Sequence, residues 1–229
     1  MSKKIFIDAG HGGNEPGAVN GGRLEKNDTL NFSLALGKRL QDHGFEVKQS
    51  RTADVSVTLN ERTKAANAWK ADLLISVHRN SFSKATANGM ETWVYTNVNQ
   101  TTKNFANHIH NEIIGVYAQS NRGVKQGNLH MCRESAMPAV LLELGFISNA
   151  LDNQKHDEFF NQYVEAVVKG VCKGFGVNYS GLQSTSQPQQ NLGKLYKVQI
   201  GSFSNKANAE NMLQKAKTAG FVDAYVVKS

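Results

Sequence analysis

The stretch Lys3-Lys4-Ile5-Phe6-Ile7-Asp8-Ala9-Gly10-His11-Gly12-Gly13 decides how the chain folds. A run of strand-forming residues stops abruptly in a turn built from aspartate, histidine and glycines, which reads as a strand emptying into a reactive loop. Ile5 and Ile7 fall on one face and Phe6 on the other, so both faces are apolar, as in a central strand covered by helices on both sides. His11 then lies just past the C-terminal end of that strand, where open α/β sheets place their ligands. The neighbouring glycines permit positive φ and let a metal or substrate come close to the backbone. Alone, a Gly-His-Gly-Gly turn is equally consistent with a tight connection, so its partners must come from elsewhere in the chain.

Outward from this strand the same pattern recurs. Glu25 opens a segment with Phe32, Leu36 and Leu40 at helical spacing, ended by Gly44, and Phe45-Glu46-Val47 forms the next strand. Leu59 to Trp69 is helical in pattern, and the apolar run Leu73-Leu74-Ile75-Ser76-Val77 again delivers a histidine, His78. Gly89 to Tyr95 alternates as a strand, and Lys103 to Gln119 places Phe105, Ile109, Ile113 and Val116 on one helical face. After Pro138, the run Ala139-Val140-Leu141-Leu142-Glu143-Leu144 holds a lone carboxylate, and Phe159 to Phe175 supplies a last helix stopped by Gly176. The alternation predicts an α/β fold over residues 1–177: a mostly parallel central sheet flanked by helices on both faces.

Composition changes next. Residues 178–193 are rich in Ser, Gln, Gly and Thr, as in a flexible linker. In 194–229, Tyr196, Val198 and Ile200 alternate as a strand, Ala209, Leu213 and Ala216 mark a helix, and Ala224 to Val227 a second strand. One such β-α-β unit is too small to bury a core alone, so it should dock on the larger domain or pair with a second copy.

The chain has 229 residues and a formal charge of +7, and six lysines against Glu210 and Asp223 put over half of that excess in the tail. Such a balance favours anionic partners, but no arginine-rich block with interleaved aromatics marks a nucleic-acid groove. No run of about 18 apolar residues predicts a membrane span. Lys3-Lys4 lead directly into the first strand without the apolar stretch of a secretory signal, which implies synthesis in the cytoplasm. Cys132 and Cys172, far apart and in apolar surroundings, read as core thiols.

Four groups are expected to meet at the C-terminal edge of the sheet: His11, Glu25, His78 and Glu143. Two imidazoles and a carboxylate form the ligand set of a catalytic zinc, and Glu143 would remain to act as general base in a metal-assisted hydrolysis. Each has a plainer reading. The histidines suit a loop or core, Glu25 suits the positive end of a helix, and Glu143 would fit a core salt bridge to Arg51 or Arg62. Glu15, in the glycine-rich turn, competes with Glu25 as a ligand. His43, His108, His110 and His156 read as surface residues.

The spacing as a whole resembles the zinc-dependent N-acetylmuramoyl-L-alanine amidases of the type-3 group over about residues 3 to 177. The resemblance rests on Asp8-x-Gly10-His11-Gly12-Gly13, Glu25, Arg51, Leu59-x-x-Arg62-x-x-x-Ala66-Asn67, Ser76-Val77-His78-x-Asn80, Gly89-x-Glu91 and Pro138 to Asn149. It implies one Zn2+ held by His11, Glu25 and His78, Glu143 as the catalytic glutamate, and peptidoglycan as substrate, cut between N-acetylmuramic acid and L-alanine. A zinc peptidase or esterase on the same architecture, or an idle wall-binding protein, are the rival readings. Two positions depart from the pattern: Ala9 replaces a usual proline, and Arg79 a small or apolar residue. Arg79 is expected to point away from His78 as a surface or substrate-phosphate contact, Asn80 to orient substrate or a ligand, and His130 to touch substrate. Asp8 is expected to hold the His11 imidazole or the loop backbone.

The tail resembles one repeat of SPOR domains, which bind peptidoglycan glycan strands, and a single repeat implies a homodimer that completes the sheet. The layout is similar to that of sporulation-associated mother-cell lysis amidases and also to prophage endolysins. Either implies action at the bacterial cell wall after release.

Overall fold

The computed structural model describes residues 2–116, 120–180 and 205–218. Its larger unit spans residues 1–181 and its smaller one residues 182–229. Six strands form the main sheet: β1 (Lys4–Ala9), β4 (Glu46–Gln49), β5 (Leu73–Asn80), β6 (Met90–Val94), β7 (Asn121–Gln126) and β8 (Ala139–Phe146). Their order is β4-β1-β5-β8-β6-β7, parallel throughout except where β6 meets β8. The short strands β2 (Val19–Asn20) and β3 (Arg23–Leu24) make a separate hairpin.

The first crossover, helix α1 (Glu25–Asp42), carries the chain from β1 to β4 on one side. Helix α2 (Leu59–Ala68) returns it to β5 on the other side of β1. The strand order therefore reverses between β1 and β5, which opens a crevice beyond their C-terminal ends. His11 follows β1 and His78 belongs to β5, so the topology itself brings the two imidazoles to this crevice.

The two faces of the sheet differ. Ile5, Ile7, Leu73, Ile75, Val140 and Leu142 pack on Phe32, Leu36 and Leu40 of α1, on helix α3 (Gln100–Val116) and on helix α6 (Phe160–Phe175) in one large core. Phe6, Leu74 and Ala139 on the opposite face meet only a small layer from α2 and the short helix α4 (His130–Arg133). Further along that second face the strands carry polar groups instead: Asp8, Ser76, His78, Glu143 and Glu91. Helices flank both faces, but on the second they cover only the apolar half. Cys132 and Cys172 are free and buried, as expected.

Some elements left little trace in sequence. Strand β7, Asn-Arg-Gly-Val-Lys-Gln, is a polar edge strand with one large apolar residue, and charged edges discourage pairing with other chains. Helix α5 (Ala150–Glu158) is mostly polar, and its clearest signal is Asn149, whose side chain accepts the amides of Leu151 and Asp152. Tyr179 belongs to the larger unit: its hydroxyl donates to Glu165, 2.8 Å away, and its ring stacks on His43. In the smaller unit helix α7 (Lys206–Thr218) forms where the tail was expected to be helical; the two expected tail strands lie outside the described residues.

Helices α3 and α6 touch where α6 has no side chain. A Cβ at Gly170 would sit 2.5 Å from the Ile109 Cα, inside backbone that has no room to give. Gly170→Ala should therefore lower unfolding free energy by about 1–3 kcal/mol in chemical denaturation. Gly115→Ala, at a helical position with open space around it, should be neutral or raise stability by up to about 1 kcal/mol.

Candidate metal centre and active site

The loop after β1 is held from outside by two buried arginines. His11 has φ 60, a left-handed conformation that costs a non-glycine residue energy, and Gly12 and Gly13 follow at 130 and 58. Arg62 donates to the carbonyl of Ala9 and, at 2.7 Å, to that of His11. Arg51 donates to Ala9 O at 3.0 Å and Gly10 O at 2.8 Å, and reaches Lys26 O and Thr29 Oγ1 on α1. Three successive carbonyls are thus fixed by guanidinium donors whose planar forks match this task. Burial, with Arg62 nearby, lowers the Arg51 pKa.

Asp8 takes part at one remove. Its carboxylate accepts from Arg62 at 2.8 Å and from Ser76 Oγ at 2.7 Å, so it holds the guanidinium that holds the loop, and not the His11 ring. Burial alone would raise its carboxyl pKa, but the Arg62 charge and these hydrogen bonds hold it below the ordinary value. Ala9 also gains a reason: its amide donates to Ser50 Oγ at 3.1 Å, a bond that proline cannot make.

Into this frame come the three expected ligands. Glu25 Oε1 lies 3.2 Å from His11 Nε2 and 2.9 Å from His78 Nδ1, and one ligand atom from each residue lies within 4.8 Å of the others. The other carboxylate oxygen accepts Ala18 N at 2.9 Å, and Oε1 also accepts Arg79 N at 3.0 Å, so Glu25 cannot swing away freely. Glu15 Oε1 sits 3.2 Å from His11 Nδ1, while Glu25 meets Nε2 on the other side of the ring, so Glu15 orients the imidazole and does not take the place of Glu25. Two glycines make room. A Cβ at Gly10 would lie 2.4 Å from the His78 ring, and one at Gly17 2.6 Å from both Glu25 Oε2 and His11. Although burial opposes charge on Glu25, its bonds to both histidines hold its carboxyl far below the ordinary range.

The two nitrogens and one oxygen converge on a common point at the surface, the side chains of His11, Glu25 and His78 being 20%, 5% and 19% exposed. This donor set suits a divalent transition ion such as zinc with positions left for water or substrate.

Glu143 stands one strand away, beside His78 in the parallel register of β5 and β8. Among the described residues its Oε2 is buried with no hydrogen-bond partner. Burial pushes its carboxyl up to about 7; the His78 charge opposes this, while Glu25 and Glu91 add to it. Salt bridges to Arg51 or Arg62 do not form, because both arginines are committed to the loop.

Comparison with known proteins settles what kind of molecule this is. The family model of N-acetylmuramoyl-L-alanine amidases matches residues 5–174, and that of the SPOR domain matches residues 192–229. The chain belongs to the N-acetylmuramoyl-L-alanine amidase family. The sporulation-specific N-acetylmuramoyl-L-alanine amidase of Bacillus subtilis (strain 168) is 40% identical over 227 residues, covering 98% of this chain and 85% of the relative. Amidase CwlM of Bacillus licheniformis is 38% identical over 226 residues, 98% of this chain and 84% of that one. The crystal structure of an N-acetylmuramoyl-L-alanine amidase from Clostridium difficile 630 superposes with a TM-score of 0.74 at 32% identity, over 78% of this chain and 99% of that one. The catalytic domain of CwlV from Paenibacillus polymyxa gives 0.72 at 33% identity, over 77% and 99%. The protein is a peptidoglycan amide hydrolase, and the peptidase and esterase readings fall away.

Several expectations about the amidase need correction. Arg79 does point away from His78, but it is buried rather than on the surface: it donates to Asp28 at 2.6 Å and Asn153 at 2.7 Å. Burial draws its pKa down to about 10 in spite of Asp28. The side chain therefore does not meet a substrate phosphate; only its backbone amide serves the site. His130 is half-buried beside α2, its Nε2 3.4 Å from Thr63 Oγ1, and its expected contact with substrate stays a proposal. Asn80 Oδ1 accepts Ser81 N at 2.8 Å, and its expected role in orienting substrate or a ligand likewise stays a proposal.

His110 is buried between Thr92 Oγ1, 3.0 Å away, and Asn121 Oδ1, 2.8 Å away, and His156 is buried beside Phe32 and Phe160. Both had read as surface residues because a lone histidine carries no sign of its surroundings. Burial, with Arg79 and Arg23 nearby, drives the His156 pKa well below its ordinary value.

The raised carboxyl of Glu143 has a consequence for the metal-free protein. A group whose folded pKa exceeds its unfolded one costs stability as pH rises between the two values. Glu143→Gln should match the parent at pH 4.5 and exceed it at pH 8 by about 1–3 kcal/mol in denaturant titrations with chelator present.

Proposed function

We propose that the amidase holds one zinc ion with His11, Glu25 and His78 and uses Glu143 as general base to cleave the amide between the lactyl group of N-acetylmuramic acid and L-alanine of the stem peptide. The observation that carries this reading is the orphaned Glu143 Oε2, buried beside three converging ligands. When bound, zinc supplies Lewis acidity, polarising a carbonyl and easing the ionisation of water.

The chain supplies the rest. Glu25 and the loop stapled by Arg51 and Arg62 fix the two imidazoles, which spares reorganisation during the reaction. Glu143, buried with no hydrogen-bond partner at Oε2, removes a proton from the attacking water at that oxygen and returns it to the departing L-alanine nitrogen. A carboxylate with no competing hydrogen bond at that oxygen is suited to both transfers.

The SPOR-like tail, matched over residues 192–229, is read as a peptidoglycan-binding unit that tethers the catalytic unit to its polymeric substrate, and as half of a sheet completed by a second copy. Catalytic domain 1–177, linker 178–193 and tail 194–229 form the working layout. No helix among the described residues is long and apolar enough to cross a membrane. Action at the wall after release, by mother-cell lysis or a phage-type hole, accords with the sporulation-specific relative from Bacillus subtilis.

Glu143→Ala should keep one zinc per chain by elemental analysis while turnover on purified walls falls by at least about 100-fold. His78→Ala should lose the zinc as well. Equal zinc loss in both variants would refute the division of roles. Product analysis should show free L-alanine amines, with the peptide bonds of the stem intact. The full chain should sediment as a dimer at micromolar concentration and residues 1–180 as a monomer, and a monomeric full chain would refute the pairing of tails.

A further inference from the structure

The polar face of the sheet does not end at Glu143. Glu91 on β6 is paired in register with Glu143 on β8, and Trp93 on β6 is paired with Lys125 on β7. Glu91 is buried, yet it accepts from three donors that lie closer to solvent: Trp93 Nε1 at 2.9 Å, Lys125 Nζ at 2.8 Å and Arg122 Nε. Lys125 Nζ also sits 5.3 Å from the centre of the Trp93 ring, and the Arg122 guanidinium lies over Phe146 at 5.0 Å. The side chains of Arg122 and Lys125 are 37% and 32% exposed.

Two cations on one carboxylate leave a surplus positive charge. A buried glutamate needs one of them for neutrality, and the indole N–H already satisfies a second oxygen. Arg122 meets Glu91 through Nε and its side chain is 37% exposed, which leaves its terminal nitrogens as donors of the kind that bind carboxylates in pairs.

We infer that Arg122, Lys125 and Trp93, mounted on Glu91, form a subsite for a carboxylate of the stem peptide on the leaving side of the scissile amide. This rests on the amidase reading above. In that substrate the muramoyl carboxyl is consumed in the amide itself, so the remaining carboxylates belong to the peptide. Arg122 and Lys125 reach back from β7 to Glu91 on β6, which is the strand next to that of Glu143, and neighbouring strands lie about 4.8 Å apart. An extended peptide covers that distance in about one to two residues beyond L-alanine, so the carboxylate recognised belongs to the second or third residue of the stem. Glu91 is then a positioning residue: it aims both cations and the indole without touching the reacting atoms.

The test compares two synthetic muropeptides, alike except that the carboxylate at the second and third residues is free in one and a carboxamide in the other. The parent enzyme should favour the free acid by about 10-fold in kcat/KM, expressed in KM and weakened by salt. In Arg122→Gln and Lys125→Gln, each of which leaves Glu91 one cation, that ratio should fall toward 1, and Lys125→Arg should restore it. A parent ratio near 1, or variants that slow both substrates equally, would overturn the subsite while leaving the amidase reading in place. If the parent released L-alanine amines from neither substrate, the amidase reading would fail first and the subsite with it.

Discussion

Two buried guanidiniums, from Arg51 and Arg62, take the carbonyls of Ala9, Gly10 and His11, and the geometry of the whole site depends on them. A loop that places a histidine at φ 60 does not stay there through local preference. Its carbonyls must find donors, and a donor in a fixed planar fork specifies where each carbonyl lies. Arg62 is neutralised by Asp8 on the strand before the loop. Arg51 reaches α1 through Lys26 O and Thr29 Oγ1, so the same contacts tie the loop to the helix that begins with Glu25. Fixing the loop and fixing the helix that carries Glu25 are one event.

The second constraint is the uneven cover of the sheet. Helices α1, α3 and α6 hide one face, while α2 and α4 reach only the apolar half of the other. The uncovered half carries a graded set of carboxylates whose environments pull them apart. Glu25, hydrogen-bonded to two imidazoles, stays ionised, whereas Glu143, buried without a partner, changes protonation near neutral pH. Two glutamates of one site are thereby held in different states, as the proposed roles of ligand and base require.

Much of this was legible in the sequence because it depended on order and spacing. The strands that deliver His11 and His78 were visible as apolar runs, and a parallel sheet obliges neighbouring strands to present their C-terminal residues at one edge. Glu143 stood out as a charge within a strand. What stayed hidden depended on contacts between distant residues. Glu91 showed only its place in the Gly89-x-Glu91 pattern, and not its charge partners, until Arg122 and Lys125, 31 and 34 positions away, were placed on it. Asp8 and Arg62, 54 positions apart, gave no sign of pairing. One turn could have been read: Asn20-Gly21-Gly22-Arg23 carries positive φ at both glycines and joins β2 to β3, as the two-residue hairpin rule expects.

Arg79 shows how a family pattern and a single chain can differ without conflict. Strand β5 sends His78 to the site face and Arg79 to the other, where Asp28 on α1 and Asn153 on α5 receive it. Arg23 also binds Asp28 and grips Asp157 with two bonds, so an arginine at 79 enters a cluster of carboxylates that offsets part of its burial. What the site takes from position 79 is the backbone N–H, 3.0 Å from Glu25 Oε1. Any residue other than proline supplies that donor. The side chain is therefore free to depart from the small residue expected there, provided the reverse face has charges to meet it, and the ligand geometry on the working face is unaffected.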